Sequence, residues 1–135
     1  MKKIYLILVL ITSIYAEAYT KQNRIDDMQK MAEAMSLIET GFFYNNKDIV
    51  RDGALKLSKA VVRVKPPLTK EESKEPLAKR VKLKIDLSND IVSKIDEKAK
   101  TIYNRFDAKD ARSSIQAYTS IVKQCMKCHY EIRHW

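Results

Sequence analysis

Residues 111–132, ARSSIQAYTSIVKQCMKCHYEI, decide the fold of this chain. Seven residues in this stretch follow one another at alternating spacings of four and three and are candidates for the buried face of a helix: Ala111, Ile115, Tyr118, Val122, Cys125, His129 and Ile132. This period places them on one face of an α-helix. Asp107 and Asp110 precede the stretch, and either of them can cap its first turn. The pattern therefore predicts an amphipathic helix near the C-terminus, with this face turned toward a core.

Three further helices are predicted upstream, because apolar residues keep the helical period and the chain holds only two glycines and three prolines. The first helix is expected over residues 21–40, with Gly41 just after its end. The second is expected over 47–65, before Pro66 ends it, and the third over 76–106. Four amphipathic helices with short connections predict an all-α fold, an antiparallel four-helix bundle.

The last helix contains the sequence Cys125-Met126-Lys127-Cys128-His129. C-x-x-C-H is the attachment sequence of c-type haem. On a helix, Cys125 and Cys128 lie one turn apart on one face, where their sulfurs can form thioethers with two haem vinyl groups. His129 lies on the same face and offers an imidazole to the iron. The motif predicts one covalently attached haem c, with His129 as the proximal ligand, on the inward face of the last helix.

Two other chemistries are open to these residues. A redox-active C-x-x-C pair normally follows a strand and opens a helix, where the helix dipole lowers the thiol pKa. Here the pair falls late in a predicted helix. A zinc site made of Cys125, Cys128, His129 and His134 would lack the usual separation between its ligand pairs. Haem attachment is therefore the favoured interpretation.

The first residues read as an export signal. Lys2 and Lys3 precede an apolar run over 4–14, and cleavage is expected after Ala16 or Ala18. A retained membrane anchor is the alternative, but the run is shorter than the roughly 18 residues of a spanning helix. We expect residues 1–18 to be a cleaved signal peptide and residues 19–135 to be one mature domain. This predicts export to the bacterial periplasm, where c-type haem is attached.

The charge balance is basic, with a formal net charge of +9 that falls to about +8 after cleavage. A basic surface suits nucleic acid, an anionic membrane or an acidic redox partner. Export argues against nucleic acid. Positive residues are densest from Lys56 to Lys84, which is either a solvated face or a docking patch. Both cysteines of the chain lie in the motif, so a structural disulfide framework is not expected.

Taken together, these features resemble the cytochrome c-prime family over essentially the whole mature chain. The C-x-x-C-H motif lies close to the C-terminus, and Arg133 follows His129 by four residues, where that family usually has a basic residue. The segment from Arg24 to Lys30 is similar to the family's R-x-x-x-M-K opening, with Gln29 in place of the Lys. Ile132 departs from the family, which often has Tyr or Phe there.

The resemblance implies a four-helix bundle that carries single electrons without turning over a substrate, and that exchanges them with periplasmic redox proteins. In this family, the residue at the position of Met28 faces the open side of the iron. It either binds the iron, or covers the site and leaves five-coordinate iron that accepts NO or CO. Simple core packing is the alternative for Met28. From its position one turn after His129, Arg133 either pairs with a haem propionate, shields the proximal side of the haem or is a solvated terminal residue. Tyr118 is expected beside the porphyrin, because it lies on the same helical face as Cys125. Dimers in the family are built from the first two helices.

Three local features carry expectations of their own. Gly53 lies inside the second predicted helix, where it costs about 1 kcal/mol relative to Ala, so a neighbouring helix or the haem is expected to approach closely. Residues 42–46 are expected to connect the first two helices, with the aromatic side chains of Phe42, Phe43 and Tyr44 turned into the core or placed in an interface. Residues 81–87 alternate as a strand would, but the longer helical pattern that contains them favours a helix.

Overall fold

The computed structural model describes residues 19–64 and 77–133, which form four α-helices and no strand. In chain order they are α1 (Lys21–Phe43), α2 (Lys47–Val61), α3 (Leu77–Asp107) and α4 (Ala111–Arg133). The predicted all-α four-helix bundle is therefore confirmed, including the helix over 81–87. The predictions about residues 1–18, the loop after Val64 and His134 fall outside the described residues.

Neighbouring helices run antiparallel. Short links at residues 44–46 and 108–110 reverse the chain between α1 and α2 and between α3 and α4. The helices pack in the order α1 against α2, α2 against α3, and α3 against α4. Within residues 19–64 and 77–133, no helix has the length and apolar character needed to cross a membrane.

Side chains of the expected type cap three of the helix starts. The Thr20 hydroxyl accepts a hydrogen bond from the backbone N–H of Asn23 at 3.1 Å. Asn46 accepts from the N–H groups of the first turn of α2 at 3.0 and 3.2 Å. Asp110 accepts from the N–H of Ser113 at 3.1 Å. Of the two aspartates proposed as the cap of α4, Asp110 therefore fills the role, because its side chain satisfies an otherwise unpaired donor.

The end of α1 differs from the prediction. Gly41 does not follow the helix but lies inside it and is buried. The helix ends instead through Asn45, which has a left-handed φ of 48°. Its N–H donates to Phe42 O, and the next N–H donates to Gly41 O. This is a Schellman ending built on Asn rather than Gly. The predicted end of α2 was also wrong, since α2 stops at Val61 rather than at residue 65.

Both glycines allow α1 and α2 to approach each other. A Cβ on Gly53 would lie 2.8 Å from Ile38 N and 2.9 Å from Ala34 O, and a Cβ on Gly41 would lie 2.7 Å from Val50 N. These are backbone atoms, which cannot move independently of their helices. Of the two explanations offered for Gly53, the neighbouring helix is therefore the one that the structure shows.

The core is shared by all four helices and is made mainly of small and branched apolar residues. Its most deeply buried members include Ala34, Ile38, Val50, Leu57, Val61, Ile91, Ile95, Ala99, Ile102 and Ile121. On α4 the prediction of the inward face was wrong at Ala111, which is exposed, and at Ile115 and Val122, which are 51% and 41% exposed. Ser114, Ala117 and Ile121 are buried instead, so the core face of α4 is rotated from the predicted one.

Two of the three aromatic residues at the α1–α2 corner are not turned into the core. Phe43 and Tyr44 are 79% and 72% exposed. Only Phe42 turns inward, where its ring lies 5.4 Å from that of Phe106 and 5.8 Å from that of Tyr118. Because α1 continues to Phe43, the helical period directs consecutive side chains about 100° apart, and only one of the three can face the core.

Candidate cofactor site

A cavity lies between α1 and α4. No Cα atom of α1 comes within 8 Å of one of α4 in the described parts of the chain, whereas each of the three consecutive helix pairs packs closely. Phe42 and Tyr118 bring the two helices into contact at one end of this opening. Beyond Tyr118 the helices enclose a cavity of about 350 Å³. Side chains of α2, α3 and the residues after α2 close it from behind: Val61, Val64, Ser88, Ile91, Val92 and Ile95.

The residues predicted to bind haem meet in this cavity. Met28 lines it from α1, and Cys125, Cys128 and His129 line it from α4. These residues are separated by about 100 positions in sequence but share one apolar space. Arg133 is the last residue of α4, and its side chain lies outside what the structure describes. The four residues whose side chains are described thus share one cavity, and their roles toward a haem stay predictions.

Four methionine side chains line this cavity. Met28, Met31 and Met35 face the cavity from successive turns of α1, and Met126 faces it from α4. Every methionine after Met1 therefore lines this one space. Sequence reasoning selected Met28 alone and missed Met126, which occupies a variable position of the C-x-x-C-H motif. The signal available was their helical spacing, because Met31 lies one turn from Met28 and Met35 lies two turns from it.

The two cysteines are free thiols and are partly buried. Burial raises the pKa of the Cys125 thiol, and the neighbouring Cys128 raises it further. A catalytic redox cysteine needs the opposite shift, toward the reactive thiolate. The environment of Cys125 thus gives no support to the redox interpretation. For the zinc interpretation, no group of three or more His, Cys, Asp or Glu side chains within the described ranges is placed to hold a metal ion.

His129 and Tyr118 mark the two ends of the α4 wall. The Nδ1 atom of His129 is buried, while the ring as a whole is only partly covered and borders the cavity. Burial raises the pKa of Tyr118, and the negative charges of Glu39 and of a Cys125 thiolate act in the same direction. Tyr118 therefore remains a neutral, packed side chain at the closed end of the cavity.

An ion pair between a buried carboxylate and a half-exposed arginine connects the α1 wall to the end of α2. Asp27, which precedes Met28, is only 5% exposed. Its carboxylate lies 2.9 Å from the Arg63 guanidinium, just after α2, and accepts a hydrogen bond of 3.1 Å from the Tyr19 hydroxyl. A buried carboxylate is retained in folded proteins when it is paired in this way. Sequence reasoning missed this pair, because its members lie 36 positions apart.

The lining fits a haem. Imidazole and thioether are both axial ligands of haem iron in c-type cytochromes, and α4 and α1 present them on the two sides of the cavity. The remaining lining is almost entirely apolar, as a porphyrin requires. The cavity also reaches the surface, since the lining residues Val122 and Met126 are 41% and 51% exposed. A flat group wider than the enclosed volume can therefore extend toward solvent.

Comparisons with protein-family models, with curated proteins and with solved structures give no match to this chain. The likeness to the cytochrome c-prime family thus rests on the residues quoted above, and it stays a prediction.

Proposed function

We propose that this protein is a periplasmic mono-haem c-type cytochrome of the c-prime type that carries single electrons. The observation that carries the proposal is the cavity between α1 and α4. It collects both cysteines and the histidine of the C-x-x-C-H motif on one wall, and thioether side chains on the other. In this proposal Cys125 and Cys128 anchor the haem, His129 is the proximal ligand and Met28 is the distal ligand.

A bound haem supplies the one-electron ferrous–ferric couple. The chain contributes the environment that tunes it. An apolar lining excludes water and lowers the local dielectric, and a methionine ligand raises the reduction potential. Neither contribution requires a side chain that gives or takes a proton from a substrate, which agrees with a carrier rather than an enzyme.

The deciding experiment for the spin state is the visible spectrum of protein expressed with export and haem attachment, oxidised and reduced, with and without CO. Sharp, split bands that CO leaves unchanged are expected from six-coordinate iron with Met28 bound. Broad bands that shift with CO would instead identify an open site and a gas-binding protein. Absence of a Soret band from the exported protein would overturn the haem proposal.

Covalent attachment is tested by haem staining after denaturing electrophoresis. C125A/C128A is expected to lose all covalent haem, because no thiol remains to bond the vinyl groups. The matched control M126L/K127R changes the two variable positions of the same motif and is expected to keep it. Haem that stays with the C125A/C128A chain through denaturation would contradict the assignment of the anchors.

Export is tested separately, by the mass of the protein recovered from the periplasmic fraction. A mature chain that begins at Glu17 or Tyr19 is expected. A chain of full length that sediments with membranes would favour the retained anchor.

A further inference from the structure

We propose that one surface of α4 binds an acidic electron-transfer protein. This α4 docking surface consists of Val122, Lys123, Met126, Lys127 and Tyr130. The inference rests on the proposed function, because the surface adjoins the opening of the cofactor cavity. It adds to that function a location for the partner and the sign of the partner's charge.

The apolar part of this surface runs along a single line on α4. Val122, Met126 and Tyr130 are four residues apart and are 41%, 51% and 68% exposed. Residues at this spacing lie above one another on a helix. Val122 and Met126 also line the cavity, so this exposed stripe continues inward to the cysteines. Methionine and tyrosine are enriched in the centres of protein interfaces.

The charged part of the surface lies immediately beside the stripe. Lys123 and Lys127 are exposed and form no ion pair with any residue in 19–64 or 77–133. Some other lysines do form ion pairs, and they serve for comparison. Lys56 and Lys100 each lie within 2.7 Å of a carboxylate four residues earlier in the same helix. On α4 the single acidic residue is Glu131, against four basic residues. The α4 helix therefore carries a net positive charge, and Glu131, one turn from Lys127, is its only carboxylate.

The positive charge of this protein indicates which kind of partner binds the α4 docking surface. A second copy of the mature chain carries the same positive net charge, about +8, and is repelled at long range. An acidic protein is attracted, and complementary charge raises the rate of encounter of two redox proteins. An apolar stripe with a basic edge suits a partner that has an apolar contact area with a carboxylate edge.

The first test locates anion binding on the protein by NMR, with hexacyanocobaltate(III) as a redox-inactive trianionic probe. Amide shifts are expected to concentrate in residues 119–131. K123Q/K127Q is expected to remove these shifts. K56Q/K100Q also removes two positive charges, on the α2–α3 side of the bundle, and is expected to keep them. Shifts spread evenly over the surface would overturn the proposal.

The second test follows electron transfer from the reduced holoprotein to ferricyanide. One electron passes to each ferricyanide, which becomes ferrocyanide as the haem iron goes from ferrous to ferric. K123Q/K127Q is expected to slow this reaction by about tenfold at low ionic strength, and the difference is expected to vanish near 1 M salt. Equal slowing in K56Q/K100Q would show an effect of net charge alone and would contradict a local docking surface.

Two further results would show that something other than an acidic protein binds the α4 docking surface, and either would overturn the proposal. One is a sedimentation mass of a dimer that M126E/Y130E converts to a monomer. The other is binding to vesicles of anionic phospholipid that K123Q/K127Q abolishes. Failure of the haem proposal is distinguishable from these results, because it appears in the visible spectrum, whereas the anion map needs no haem.

Discussion

Met28 and His129 border the same cavity from facing helices, and this placement makes the distal ligand testable at one side chain. M28L keeps the volume and apolar character of the residue but removes the thioether sulfur. We expect M28L to convert the reduced spectrum from sharp, CO-insensitive bands to broad bands that CO shifts, with a lower reduction potential. Visible spectroscopy with redox titration measures both.

M35L is the matched control for M28L, because Met35 lines the same cavity from the same helix. It is expected to leave spectrum and potential close to those of the unchanged protein. If M35L opens the site to CO and M28L does not, the assignment of the distal ligand to Met28 is wrong.

The Asp96 carboxyl makes the free energy of unfolding depend on pH. Hydrogen bonds from Lys100 and from the Ser58 hydroxyl hold the pKa of the Asp96 carboxyl below its usual value. The folded-state pKa is therefore lower than the unfolded one. The contribution to stability is complete above the unfolded pKa of about 3.9, and is lost as pH falls through the folded value. D96N is expected to cost about 1–2 kcal/mol at pH 7.

Urea unfolding of D96N at pH 7 and pH 3 measures this dependence. The difference in unfolding free energy between D96N and the unchanged protein is expected to shrink at pH 3. D90N removes the exposed ion pair to Lys94, and such pairs contribute only about 0.5 kcal/mol. A D96N effect as small as that of D90N at pH 7 would argue against the α2–α3 hydrogen bond.

At the scale of the helix, Gly53 is the clearest case in which packing outweighs propensity. G53A adds a methyl group 2.8 Å from Ile38 N, so α1 and α2 must separate. Forced expansion of a packed interface costs about 1–3 kcal/mol, which offsets the gain of about 1 kcal/mol that Ala brings inside a helix. We expect G53A to lower the urea midpoint, measured by circular dichroism.

Ser36 offers a control for that change, since it is exposed in the interior of α1. S36A is expected to leave the midpoint unchanged or raise it slightly, because Ala is the better helix former. A G53A protein as stable as S36A would mean that α1 and α2 do not cross as closely as described.

The helices themselves were predictable from sequence, and the face that each one buries was less so. The apolar residues of α4 cover two adjoining arcs. One arc, with Ala117 and Ile121, faces the other helices, and the second, with Val122 and Met126, faces the cavity and its mouth. A sequence period reports that both arcs are apolar but not which of them packs against protein. The error at Val122 has this origin.

At the scale of the whole molecule, the cavity predicts a measurable difference between the protein with and without haem. A haemless protein is expected to bind an apolar fluorescent dye between α1 and α4, and the holoprotein is expected not to. A32W places a large ring at a lining position and should reduce dye binding, whereas A111W, outside the lining, should not. Dye fluorescence titration distinguishes these cases. Equal dye binding by the haemless protein and the holoprotein would contradict this role of the cavity.

The site was predictable in its α4 half and only in part elsewhere. The C-x-x-C-H spacing predicts chemistry directly, because thioether bonds require two sulfurs on one helical face. The Asp27–Arg63 pair depends on how α1 meets the end of α2, which no local pattern in the sequence reports. The same holds for Met126, whose role follows from the direction of α4 rather than from the motif.

The unequal packing of the four helix pairs has a mechanical consequence. The molecule consists of two helical hairpins, α1–α2 and α3–α4, joined along the interface between α2 and α3. With neighbouring helix axes about 8–10 Å apart, a rotation of roughly 10° about that interface moves α1 and α4 apart by about 2 Å. Such a rotation breaks no helix, but it must loosen the contacts of the Phe42 ring with Phe106 and Tyr118. We expect a large planar group, such as the proposed haem, to enter when the hairpins open in this way. The ease with which the α2–α3 interface deforms, more than local unfolding, would then set the rate of entry.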